Sequence, residues 1–93
     1  MTLLQLLREH LKEWPEDVRA ISQDSDGEVN ANFFSKPLPL EKPVVFRDGS
    51  FVWTSCEWEY MGNPDQPYYM WELPLADDAS TAIVTREMWE AKP

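Results

Sequence analysis

The chain is poor in the side chains that do chemistry. Its 93 residues include one cysteine, Cys56, and one histidine, His10. A lone cysteine cannot form an internal disulfide, which agrees with a reducing compartment. Two candidate ligands in all cannot close a zinc site. A Cys56–His10 nucleophilic pair would need a supporting base motif, and neither residue has one around it. The chain also has no GxGxxG and no GxxxxGK[ST], so nothing signals a phosphate cradle. Long apolar runs are missing too. The leucine-rich start, MTLLQLLREHLKEWP, is interrupted by Arg8, Glu9, Lys12 and Glu13, unlike a signal peptide, and no stretch is long enough to span a bilayer. The expectation is a soluble protein of the cytoplasm, without membrane association.

Positive charge is scarce as well. The net charge is −9, and no Lys or Arg occurs between Asp48 and Thr85. Residues 1–47 balance to −2 and residues 48–93 to −7. Such a chain repels phosphate backbones, so direct nucleic-acid binding is not expected. A basic or nucleic-acid-binding protein is the more natural partner. Aromatics are plentiful, five of them Trp, which excludes a disordered chain. The length predicts one domain, 1–93, with a small core.

The pattern predicts an α+β fold: an antiparallel sheet of five to six short strands, an N-terminal amphipathic helix and a short C-terminal helix. Thr2 and Gln5 form a capping box, Leu3, Leu7 and Leu11 make one stripe, and Pro15 sets a stop near Glu13 or Trp14. This helix either covers the sheet or docks to another chain. VRAIS (18–22) and EVNANFF (28–34) read as strands. SKPLPLEKP (35–43) reads as an extended connector. PVVFRDGSFVWTS (43–55) is a hairpin about Asp48-Gly49, in which a two-residue loop sets Phe46 opposite Phe51 and Val45 opposite Val52. Its second strand is free to run on to Tyr60. YYMWELPL (68–75) and TAIVT (81–85) read as further strands. Thr85 caps the last helix, whose Met88 and Trp89 point inward.

QDSDGEV (23–29) raises a metal question. In the register of a calcium loop, Asp24, Asp26 and Gly27 take positions 3, 5 and 6, but position 1 is Ser22 and the bidentate position 12 is Phe33. The stretch reads better as a turn, and no metal or other cofactor is expected. An all-carboxylate site of Asp77, Asp78, Glu57 and Glu59, or a small hydrolase using these acids or Cys56, is a weaker alternative.

The strongest constellation is FVWTSCEWEYMGNPDQPYYMWEL (51–73), with seven aromatics and four acids. Trp58, Tyr60, Tyr68 and Tyr69, rimmed by Glu57, Glu59, Asp65 and Glu72, are the candidate partner-binding surface, because Trp and Tyr anchor interfaces. Bulky groups on both strand faces also suit a homodimer.

EWPE (13–16), QDSDGEV (23–29) and TAIVTREMWEAKP (81–93) together resemble a group of short proteins encoded by tailed bacteriophages and prophages of enteric bacteria. The likeness covers the two ends, about half the chain, and not 35–75. It implies a small accessory protein made in an infected bacterium and assigns no catalytic or cofactor residue. The expected function is therefore binding and modulation of a host or phage protein, not catalysis. A DNA-mimicking inhibitor of a nucleic-acid enzyme is the alternative.

Overall fold

The computed structural model describes residues 1–39, 42–53, 57–60 and 73–91, with Tyr60 described by its backbone alone. The chain opens with α1 (Leu3–His10). Thr2 Oγ1 accepts the Gln5 N–H at 3.2 Å, and the Gln5 side chain accepts the Thr2 N–H at 2.8 Å. This capping box satisfies two donors that a helix start leaves open. Leu3, Leu6 and Leu7 are buried in the core, each contributing about 1.5–3 kcal/mol. The helix therefore covers the protein's own core. It ends at His10, a turn earlier than Pro15 requires, because Leu11 is extended and redirects the chain. Trp14 then enters the core, donating its indole N–H to Val18 O at 2.7 Å.

The central hairpin pairs β1 (Val18–Gln23) with β2 (Val29–Phe33), antiparallel, with an irregularity between Val18 and Ala20. At its tip Asp24 N–H donates to Glu28 O at 2.8 Å and Gly27 N–H to Asp24 O at 3.0 Å. Gly27 has φ +94°, a left-handed backbone that suits glycine. Asp26 Oδ1 accepts the Glu28 N–H at 3.0 Å. This is a three-residue hairpin loop, a tight turn closed by a glycine bulge.

The second DG turn is built the same way. Phe46 N–H donates to Ser50 O, Gly49 N–H to Phe46 O, and Gly49 has φ +89°. Asp48 Oδ1 accepts from both Ser50 N–H and Ser50 Oγ–H. The glycine bulge shifts the register by one residue from the two-residue expectation. In β3 (Val44–Val45) and β4 (Phe51–Val52), Val44 faces Val52 and Val45 faces Phe51. All of Val44, Val45 and Phe46 are exposed, whereas Phe51 and Trp53 are buried.

Two short strands complete the larger sheet: β5 (Glu59–Tyr60) against β2, and β6 (Val84–Thr85) against β1. Its order is β5-β2-β1-β6, while β3 and β4 form a separate two-stranded sheet. The antiparallel α+β architecture holds, but the strands divide between two small sheets instead of forming one of five to six. Nor does the strand from Phe51 run on to Tyr60: β4 and β5 belong to different sheets. The outward edge of β4 is already occupied by the tip of the first hairpin. Ser25 N–H donates to Phe51 O, and Phe51 N–H and Trp53 N–H donate to Ser25 Oγ and Asp24 Oδ1. Of the strand expected over 68–75, residues 68–72 lie outside the described ones, and 73–75 are not strand.

The chain ends in α2 (Arg86–Glu90), where Thr85 Oγ1 caps by accepting the Met88 N–H. Met88 points outward, contrary to the sequence expectation. Trp89 alone packs inward, against Trp14 at 6.1 Å between ring centres, and donates to Leu7 O. Arg8 ties α1 to the end of α2 by donating to the carbonyls of Met88 and Ala91, where a cation also meets the negative end of the helix.

Candidate functional site

The first hairpin carries a row of buried polar side chains: Ser22, Gln23, Asp24, Asn30 and Asn32. Polar groups in a small core need partners, and most of these serve as braces. Gln23 Nε2 donates to the carbonyls of Gly27, Leu73 and Pro74, and its Oε1 accepts the Ala76 N–H. Asn32 Nδ2 donates to the carbonyls of Pro37 and Glu57. The Ser22 hydroxyl is buried without a hydrogen-bond partner.

Asp24 is the buried carboxylate of this row. Its Oδ1 accepts from Asn30 Nδ2 and from Trp53 N–H, both at 2.8 Å. Burial raises its pKa, against the lowering effect of those two bonds. Asp24, Asp26 and Glu28 bring carboxylate oxygens within 4.8 Å of one another. The calcium-loop test looked for its last acid at Phe33, whereas hairpin closure folds Glu28 back onto Asp24. In that register Glu28 takes position 7, which ligates through its backbone carbonyl, so the template gives no role to the carboxylate that strand pairing brings close. One ligand atom from each of three carboxylates is half or less of the six to eight oxygens that calcium takes, and Asp24 Oδ1 is already bonded to Asn30 and Trp53. The arrangement is a turn with its acids held close.

Asp77 and Asp78, suspected of metal or acid–base work, serve α1 instead. Asp78 Oδ1 accepts the Leu3 N–H at 2.8 Å, and Asp77 N–H donates to Met1 O. A carboxylate suits the positive start of a helix. Glu57 and Glu59 join no cluster of three possible metal ligands among the described residues. His10 is exposed at the end of α1, and Cys56 lies outside the described residues.

The proposed aromatic–acidic surface is described only in part. Trp58 was expected to be exposed. It is buried, edge-on to Trp53 at 6.0 Å and 65°, so its ring belongs to the core. Trp53 donates in turn to Ala79 O. Glu59 is exposed, and Glu57 is half-buried with its carbonyl held by Asn32. Glu59 sits on β5, the outer strand of its sheet among the described residues, and Glu57 lies two residues before it. Tyr68, Tyr69, Asp65 and Glu72, and the side chain of Tyr60, lie outside the described residues.

An open cleft of about 450 Å³ separates the segment after α1 from α2, lined by Trp14 and Trp89 with Lys12, Glu16, Arg86 and Glu90. Arg86 and Glu90 pair with each other along α2 at 2.8 Å, and this mixture of signs selects for no particular ligand charge. Among the described residues no helix is long and apolar enough to cross a membrane. No family model, curated protein or solved structure matches the chain.

Proposed function

We propose that this chain is a small phage or prophage accessory protein that acts by binding a host or phage protein, without chemistry of its own. The surface lies around β5 and the segment that follows it: Glu57, Glu59, Tyr60, Asp65, Tyr68, Tyr69 and Glu72. The observation that carries this reading is the position of Glu59. It is exposed on the outermost strand of the larger sheet, within a stretch of the chain that holds no basic residue from Asp48 to Thr85. Among the described residues β5 pairs with β2 alone, and a sheet edge carrying acids favours a basic partner and turns away an acidic one. Trp58, buried against Trp53, is left out of this surface.

The test begins with capture from infected enteric bacteria, followed by titration of the captured protein with purified chain. Tyr60→Ala together with Tyr68→Ala should abolish binding while the circular dichroism spectrum stays unchanged. Binding should weaken modestly with salt through its acids and persist through its aromatic anchors. A DNA-mimicking inhibitor would instead compete with duplex DNA and weaken steeply as ionic strength rises. Unchanged capture by the folded double variant removes the surface from consideration.

A further inference from the structure

The hairpin of β3 and β4 presents a second surface, on a separate sheet from β5. Val44, Val45 and Phe46 are exposed in succession, at 55%, 63% and 51%. A strand exposed on both faces is not covering the protein's own core. Residues 42–53 carry Lys42, Arg47 and Asp48, a balance of +1 in a chain at −9.

The ladder settles which backbone groups face outward. Phe46 N–H donates to Ser50 O, so Phe46 and Val44 turn their backbone groups towards β4. Antiparallel pairs alternate, so Val45 turns its N–H and C=O away from β4. The same alternation turns Phe51 outward on the far side, where Ser25 takes both of its groups. Val45 has no counterpart to Ser25: β3 pairs with β4 alone among the described residues. The next outward position is Pro43, which has no N–H to offer. The open edge of β3 therefore offers a single donor–acceptor pair, flanked by a residue that stops further pairing.

We propose that β3 is a self-association edge, on which a second copy of the chain pairs antiparallel about Val45 to make a four-stranded sheet in the order β4-β3-β3-β4. A two-fold axis at Val45 lets each Val45 donate to and accept from its partner. Val44 then faces Phe46 of the other copy, twice. Lys42 is brought alongside the Asp48 turn of the other copy, twice, so the strand's charges are complementary to themselves. The register one residue away would set Lys42 against Arg47 instead, and like charges opposed across strands destabilise. The assembly closes at two copies, because the far edge of β4 is already capped by Asp24 and Ser25. Charge favours a second copy as the occupant, since this register sets Lys42 of each copy beside Asp48 of the other. The contact is small, at the weak end of specific interfaces, so dissociation at roughly 0.1 mM is expected.

Sedimentation velocity over a concentration series up to roughly 1 mM tests this, with mixed-label NMR to detect contacts between copies. A monomer–dimer equilibrium is expected, with cross-peaks from Val44 of one copy to Phe46 of the other. Val45→Pro removes the one outward N–H without touching the bonds to β4, and should weaken association by more than roughly tenfold. Lys42→Glu leaves the strand intact and should weaken it several-fold. A chain that stays monomeric throughout the series overturns the proposal. So does a dimer that is indifferent to both variants, or one whose cross-peaks arise elsewhere, including at β5. A peptide or foreign protein seated on β3 while the chain remains monomeric overturns it equally.

Discussion

Gln23 gives the sharpest test of what holds this protein together. It sits at the end of β1, fully buried, and its amide makes four hydrogen bonds to backbone. Three of them reach Leu73, Pro74 and Ala76, a segment with no regular structure of its own. Gln23→Met keeps the volume and removes all four. The Gly27 carbonyl retains a bond from Leu73 N–H, and the carbonyl of exposed Pro74 has water nearby. Leu73 and Ala76 are buried, so their carbonyl and N–H are left without partners. Each stranded group costs about 1–3 kcal/mol, giving a loss of about 3 kcal/mol after the modest gain from burying an apolar side chain. A domain of this length holds about 5–14 kcal/mol, and each kcal/mol moves the melting midpoint by about 4–8 °C. Gln23→Met should therefore melt roughly 12–24 °C lower, read by circular dichroism and by urea titration. Gln23→Glu supplies the control. Ionised, it keeps the acceptor for Ala76 N–H but turns an anion on three carbonyl oxygens. Its folded pKa is then raised, so its stability should recover as pH falls and the carboxyl regains a proton to donate. A Gln23→Met loss below about 1 kcal/mol, or a Glu variant with no acid recovery, would refute the bracing role.

Two further predictions concern the turns. Asp24 is raised above 3.8, chiefly by burial, so its contribution to stability is complete below that value and lost as pH climbs through its folded pKa. Asp24→Asn keeps the acceptor for Trp53 and Asn30 and places an amide beside Asp26 and Glu28. The variant should exceed the wild type at pH 7 in urea unfolding, with the difference vanishing in acid; a less stable variant at neutral pH would contradict this. Gly49→Ala meets nothing within 4 Å of the added carbon, so only the left-handed backbone resists it, at about 1–2 kcal/mol. A loss well above that would reveal a contact that the open turn does not have.

Much of the fold was legible because it is local. The Thr2–Gln5 box, the leucine stripe of α1, both DG turns and the Thr85 cap each depend on residues within a few positions of one another. Apart from the register at the second DG turn, where a three-residue loop replaces the expected two, the misreadings concern long-range partners. The helix ends early because Trp14 is wanted against Val18 and Trp89. Trp89 rather than Met88 faces inward, since its indole reaches Leu7. At the candidate surface, alternation along 51–60 could not tell that Trp58 would meet Trp53, because the two belong to separate elements. The acids of QDSDGEV stand out in the sequence, but the loop template counts along the chain and gives no role to the Glu28 carboxylate, which pairing across the hairpin brings beside Asp24 and Asp26.

The two DG turns show how far identical local chemistry leaves function open. Each has an aspartate accepting the N–H two residues on, and each has a glycine with φ near +90°. Yet the first turn is bonded to β4 through Asp24 and Ser25, and the second projects β3 outward with Val44, Val45 and Phe46 uncovered. The difference lies in the residues before each aspartate. Asp24 and Ser25 are short polar groups that can reach the outward edge of β4 and satisfy it. The corresponding Phe46 and Arg47 can cap no edge in that way, so β3 keeps an open edge at Val45. Moving a cap onto that strand is then the same perturbation as occupying it with a second copy. Both would protect the Val45 N–H from hydrogen exchange, and the second copy would do so in proportion to chain concentration.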